Sequence, residues 1–174
     1  ILPDELKEQR TFFEKVVPTK RPMPVFFLNK QIEDTNFGHL NRPSKRPNVT
    51  FIFNHSSKMP EMVPSGNTIL AAWLGIKARD ELFDKTDEEV IAAIIPDMEE
   101  IIPGFSQHIA HTEVVRHAYV ETEFEPGAYK RVIDFMEKAK DLKGVTFVGG
   151  IFGGCFVEAA IKSGDKAVAR IAAL

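Results

Sequence analysis

Cysteine is nearly absent. Cys155 is the single one in 174 residues, which excludes an internal disulfide and fits a reducing, cytoplasmic setting. There is no run of about 18 or more uncharged apolar residues, the length a membrane helix needs. The most apolar stretch, 145–160, is interrupted by Gly149, Gly150, Gly153, Gly154 and Glu158. An excess of either charge is missing too. Lys and Arg number 22 against 25 Asp and Glu, a formal net charge of -3, so no broad electrostatic case exists for nucleic acid. With 44% hydrophobic and 27% charged residues, disordered, collagen-like and coiled-coil classes are excluded. No internal repeat, G-x-S-x-G motif or P-loop is present, and no G-x-G-x-x-G opens a strand–helix unit. Ile1 opens the chain without a signal-peptide pattern, so a portion of something longer is expected.

Phenylalanine is abundant instead, with 14 copies against two Tyr and one Trp. Such a chain has a large core or lines an apolar cavity. Residues 1–17 read as a short helix and Val25–Leu28 as a strand, after an extended connection forced by Pro18, Pro22 and Pro24. The polar stretch 33–48 reads as a loop. Strands are expected at Val49–Asn54 and Thr68–Leu74, joined by turn chemistry and therefore antiparallel. Thr86 and Glu89 form a capping box ahead of Val90, Ile91, Ile94, Ile95 and Met98, with Pro96 expected to kink or break that helix. A strand at 112–122, a helix from Pro126-Gly127 through Ala139, and a stop at Gly144 follow. The tail reads as a strand at 145–148, a glycine-rich turn, and a helix from about Cys155 to the end. The fold class is α+β: an antiparallel sheet flanked by helices, with a strand–turn–helix tail.

That tail has a chemical use. Glycines let a ligand approach the backbone, and the first N–H groups of a helix are unpaired and carry partial positive charge. They can hold a phosphate or the electron-rich edge of a flavin. Phe147-Val148-Gly149-Gly150, then Gly153-Gly154, then Val157-Glu158-Ala159-Ala160-Ile161-Lys162-Ser163-Gly164 resembles the C-terminal flavin-binding segment of the FAD-dependent amine oxidase superfamily, which includes protoporphyrinogen oxidases and phytoene desaturases. Gly150 stands where that pattern usually has Asp, and Ala159 where Gly is common.

The resemblance implies a substrate-binding domain over 1–143 and the last piece of an FAD-binding domain over 144–174. It implies FAD as cofactor, with Gly149, Gly150, Gly153, Gly154, Cys155, Phe156 and Val157 beside it, and Val157 offering its backbone N–H to the flavin pyrimidine edge. The ADP-binding fingerprint would lie on a missing polypeptide, in the same chain or a separate one. The implied reaction is hydride transfer to FAD from a C–N or C–C bond of an apolar small molecule. Phe51, Phe53 and Trp73 are candidates for the substrate wall by strand position only, with core packing the favoured role for each; no catalytic residue is identified. A non-catalytic α+β ligand-binding or interaction domain is the alternative.

Other features read more plainly. His108, His111 and His117 match no standard zinc spacing, so no metal site is expected. Cys155 has no base placed near it by sequence, which leaves it a small residue rather than a nucleophile. Arg42, Lys45 and Arg46 form a small basic loop that could meet a membrane surface or a partner, but a solvated loop is the favoured reading.

Overall fold

In the computed structural model, residues 6–34, 36–40, 48–152, 154 and 156–172 are described. Among them the elements run α1 (Lys7–Glu14), β1 (Arg21–Leu28), β2 (Gly38–Leu40), β3 (Val49–Asn54), α2 (His55–Lys58), β4 (Thr68–Leu74), α3 (Ile76–Leu82), α4 (Asp87–Ile101), β5 (Ile109–His117), α5 (Ala128–Ala139) and α6 (Val157–Ala172). The class is α+β, with one antiparallel sheet in the order β2-β3-β4-β1-β5. The chain forms two compact units, residues 20–119 and residues 1–19 with 120–174. This division by compactness differs from the functional division at residue 143 that the resemblance implies.

In residues 20–119 the period-2 alternation of the strands decides which face is buried. Phe26, Leu28, Ile52, Leu70, Ala72 and Leu74 point to one face. Against them pack Ala78 from α3, Phe105, and Val90, Ile94 and Met98 from α4, which recur every four residues on one side of that helix. Burying each large side chain stabilises by roughly 1.5–3 kcal/mol, so this layer is the core. The capping box forms as read: Thr86 Oγ1 accepts from Glu89 N at 3.3 Å and Glu89 Oε2 accepts from Thr86 N at 2.9 Å. Arg116 ties three parts together. Its guanidinium donates to Phe83 O and Lys85 O at 3.1 and 2.6 Å and meets Asp87 Oδ1 at 2.5 Å.

Two bulges set the phase of the strands. Between Phe27 and Leu28 the register against β5 shifts. In β3, Val49 pairs with Leu74 and Phe51 with Trp73, so Thr50 is an extra residue; its Oγ1 donates to Trp73 O at 3.0 Å. The bulge lets Val49 and Ile52, three positions apart, both face the core.

Several expectations are corrected here. β1 starts at Arg21 and contains Pro22 and Pro24. Over 21–24 it pairs with β5 but not with β4, so the missing N–H groups interrupt no second ladder. β2 arises within the expected loop, because Gly38–Leu40 pairs with β3; a Cβ at Gly38 would overlap the Phe51 ring. Pro96 does not break α4, which runs through it. Both Pro96 and Ala92, whose carbonyl loses its donor, are exposed, so water can satisfy that oxygen. The expected strand at 145–148 does not form: these residues carry no ladder, since no described strand pairs with them.

In the other unit, residues 17–19 and 120–123 pair antiparallel, through Thr19 N to Glu121 O at 2.8 Å and Val120 N to Thr19 O at 3.0 Å. Phe12 and Phe13 of α1 pack with Phe135 of α5, and Phe147 and Phe152 complete a five-ring cluster; Phe12 and Phe135 stack at 4.2 Å. α6 is tied to α5 by Arg170, whose Nη2 donates to the carbonyls of Ala139, Lys140 and Leu142 at 3.1, 2.8 and 3.0 Å. A cation there satisfies the orphan acceptors of a helix C-terminus.

Candidate functional site

Two places collect the residues singled out from sequence. The first is the glycine turn before α6. Gly149 and Gly154 adopt φ of +138° and +135°, a region L side chains avoid. Gly150 begins a short 3-10 turn. Gly149 N donates to Ser163 Oγ at 2.8 Å, and Ser163 Oγ donates to Ala160 O at 2.7 Å. Ser163 thus pins the turn to its helix, and the Gly149 N–H is committed to the protein. A side chain added at Gly149 or Gly150 would meet nothing within 4 Å, so that flank of the turn is open. Phe156 and Val157 are 76% and 77% exposed at the head of α6. Gly153 and Cys155 lie outside the described residues.

These residues fit one part of a flavin. The head of a 16-residue helix offers N–H groups without intrahelical acceptors, beside bare apolar side chains and an open glycine flank. That combination suits the edge of a flat, electron-rich heterocycle. Glu158 in the first turn pairs with Lys162 at 2.6 Å, which offsets its charge. Among the described residues no glycine-rich strand–helix unit exists for a dinucleotide's pyrophosphate.

The second place is the sheet face opposite the core. Phe51 and Phe53 of β3 and Trp73 of β4 stand together on it, half-buried. Ring centroids are 4.6 Å apart for Phe51–Phe53 and 6.1 Å for Phe53–Trp73. Their shared face follows from register: Phe51 opposes Trp73 and Phe53 opposes Ala71. Phe37, 57% exposed, extends the wall from Phe51 at 6.2 Å. The structure thus brings the three sequence candidates into one wall and keeps them out of the core.

Two members of the wall escaped the sequence reading. His55 stacks on Phe53 at 6.1 Å; burial, then the charge of Lys58, holds its pKa below the ordinary histidine range. Arg21 lies with its guanidinium 3.8 Å from the Trp73 ring centroid. No local signal in sequence marks this pair, which is joined only through the sheet. The other histidines stay apart. His108 ends a 3-10 turn, His117 ends β5, and His111 faces Glu113 at 3.5 Å, both exposed. Among the described residues no three His, Cys, Asp or Glu side chains converge as a metal site. Arg42, Lys45 and Arg46 lie outside the described residues.

Comparison with known proteins adds the following. The family model described as flavin containing amine oxidoreductase matches residues 21–172. No curated protein matches the chain. Among solved structures, one assigned as a protoporphyrinogen oxidase from Exiguobacterium sp. 255-15 is similar, with TM-score 0.71 and 18% identity, over 91% of this chain and 35% of that one. Reduced UDP-galactopyranose mutase is similar with TM-score 0.71 and 10% identity, over 97% of this chain and 36% of that one. An oxidoreductase from Methanosarcina mazei is similar with TM-score 0.61 and 14% identity, over 97% of this chain and 38% of that one. At these identities the likeness is one of fold. The chain spans about a third of the length of the solved structures it matches.

Proposed function

This chain belongs to the flavin containing amine oxidoreductase family, and from that premise we propose that it forms the substrate wall and the last cofactor-binding segment of an FAD-dependent oxidoreductase. Residues 20–119 present the wall, and residues 144–174 form the segment that meets the flavin. Bound FAD would supply the hydride acceptor for a C–N or C–C bond of an apolar small molecule. The chain's own part is binding and orientation. Phe51, Phe53 and Trp73 offer flat apolar surface that excludes water from a substrate laid on it. The N–H of Val157 is the donor toward the pyrimidine edge, and the open flank at Gly149 and Gly150 leaves room for the ring. The rest of such a protein, in the same polypeptide or on a separate one, would bring the ADP-binding fingerprint. A reducing, cytoplasmic setting goes with this reading, on the strength of the single cysteine.

The observation that carries the proposal is the convergence of Phe51, Phe53 and Trp73 on the face turned away from the core. A core role would have placed them with Phe26 and Ile52. The test is the visible absorption spectrum of the whole natural gene product, purified without added cofactor. A flavin band that survives gel filtration, and bleaches with substrate, is expected. A colourless product that also fails to take up FAD overturns the proposal and leaves a non-catalytic ligand-binding domain. Val157→Pro sharpens the test. Proline is accepted at the first helical position but has no N–H, so flavin retention should fall about tenfold, the loss of one good hydrogen bond. Far-ultraviolet circular dichroism should stay unchanged.

A further inference from the structure

We infer that His55 is a specificity-determining residue of the aromatic wall, and that it selects flat apolar molecules bearing a hydroxyl group, which its imidazole bonds at the end of the aromatic row. The inference rests on the reading that this wall receives the substrate. It names the group that substrate must carry and the side chain that reads it.

Phe51 and Phe53 share one face of β3 by alternation, and His55 follows two residues on, as the first residue of α2. Its ring stands 6.1 Å from Phe53 with 23° between the planes, so it continues the row. The backbone beneath it is held on both sides. Asn54 is 2% exposed; its Oδ1 accepts from Ser57 N at 3.3 Å and its Nδ2 donates to Asp34 O at 3.3 Å. His55 O accepts from Met59 N at 2.8 Å. The turn from strand to helix therefore places the imidazole, and the ring does not hang from a loose segment.

The polar side chains beside His55 are engaged with the protein. Besides Asn54, Ser57 Oγ donates to Asp34 O at 2.6 Å, and Ser56 Oγ accepts from Ile69 N at 2.8 Å. The imidazole differs: among the described residues neither of its nitrogens has a hydrogen-bond partner. The residue is nevertheless half-buried, so its nitrogens have given up part of their water without a protein bond in return. Burial, then the charge of Lys58, lowers its pKa. The ring is therefore neutral just above pH 7 and offers one N–H donor and one bare acceptor. A hydroxyl both donates and accepts, so it answers either nitrogen whichever tautomer is present. An ether or ketone oxygen can only accept, and a hydrocarbon does neither. A hydroxylated aromatic molecule thus lays its plane along Phe51 and Phe53 and sets its oxygen at the His55 end. The apolar area supplies binding and the imidazole fixes which way round the molecule lies.

The test uses two probes of one shape, 2-naphthol and 2-methylnaphthalene, titrated into the full chain just above pH 7. The first readout is the indole N–H resonance of Trp73, the single Trp of the 174 residues. Both probes should move it, and 2-naphthol should bind about tenfold tighter, the effect of one good hydrogen bond. His55→Phe keeps a flat ring on Phe53 and removes both nitrogens, and it should bring the two probes to within about twofold of each other. The second readout needs no folded Phe variant. It is the nitrogen-15 shift of the His55 ring in the native chain, assigned by its absence from the spectrum of His55→Gln. 2-Naphthol should move this shift and 2-methylnaphthalene should leave it in place. Equal binding of the two probes to the native chain overturns the inference while leaving the wall a ligand surface. A preference for 2-naphthol that persists in His55→Phe also overturns it, since another group then reads the hydroxyl. A Trp73 resonance unmoved by both probes overturns it together with the substrate-wall reading.

Discussion

Residues 20–119 bury Phe26, Ile52, Leu70, Val90, Ile94 and Met98 to 0% exposure. In the unit made of 1–19 and 120–174, the largest core ring, Phe135, keeps 6%, and α6 shows Val157, Ile161, Val168 and Ile171 each more than half exposed. The first unit has two layers, a sheet and the helices on one side of it, and these close on each other. The second gathers three helices around five phenylalanine rings, and α6 is apolar on both sides. Its Ser163 and Ala167 are buried, while the exposed stripe recurs at helical spacing on its other side. Apolar sequence is present in both units; what differs is whether an element exists to cover it.

The sharpest way to break that comparison is a pair of large-to-small changes. Phe26→Ala should cost about 3–5 kcal/mol, as a fully enclosed ring leaves a cavity. Phe135→Ala should cost clearly less, since its neighbours are partly exposed and can collapse. Equal losses in urea denaturation would show that the second unit is as tightly closed as the first. Next in size is Asp97, buried in α4, whose Oδ2 accepts from Asn48 N and Val49 N at 2.9 and 3.1 Å. Asp97→Ala orphans two backbone donors at the start of β3 and should cost about 1–3 kcal/mol. Asp97→Asn, which keeps an acceptor, should recover part of it.

A smaller effect is expected in acid. Glu99 is held below the ordinary glutamate range, first by the Ser106 side chain, then by the N–H groups of Gly104 and Ser106 against the opposing effect of burial. Its folded pKa is depressed. The stability it contributes is present above the unfolded pKa near ~4.3 and drains as pH falls through the lower folded value. Glu99→Gln should flatten that acid limb of the stability curve and leave the neutral plateau nearly unmoved. Smallest of all is Ile161→Ser on the bare stripe of α6. It should change stability by no more than about 0.5 kcal/mol, and a loss of several times that would show the stripe to be covered in solution.

Features set by contiguous residues were legible in sequence. The capping box at Thr86, the four-residue recurrence of Val90, Ile94 and Met98, and the antiparallel pair at 49–54 and 68–74 each arise from neighbours along the chain. The membership of Phe51, Phe53 and Trp73 in a single wall was half legible: alternation puts Phe51 and Phe53 on one side of β3, but register with β4 adds Trp73. Features that depend on a distant partner were not legible. Pro22 and Pro24 argue against a strand until it is known that β1 lacks a second neighbour there. Gly38–Leu40 has no strand pattern of its own and is recruited by β3. The residues at 145–148 have a strand pattern and no described neighbour to pair with. α3, only seven residues long with a glycine at its N-cap, carries too short a pattern to read. The Arg21–Trp73 contact lies beyond any local rule because the two residues are far apart in sequence.

The bulge at Thr50 has a consequence for how this strand can change in length. Removing Ile52 or Phe53 would invert the side chains on one side of the cut, and removing Val49 or Phe51 would put Thr50 in place of an apolar side chain. Removing Thr50 alone would leave Val49, Phe51, Ile52 and Phe53 in regular alternation, with the same side chains on the same faces. Its loss would forfeit chiefly the hydroxyl bond to Trp73 O and the local twist. Position 50 is therefore where β3 should accept a one-residue deletion, and homologues that differ in length within this strand should differ there.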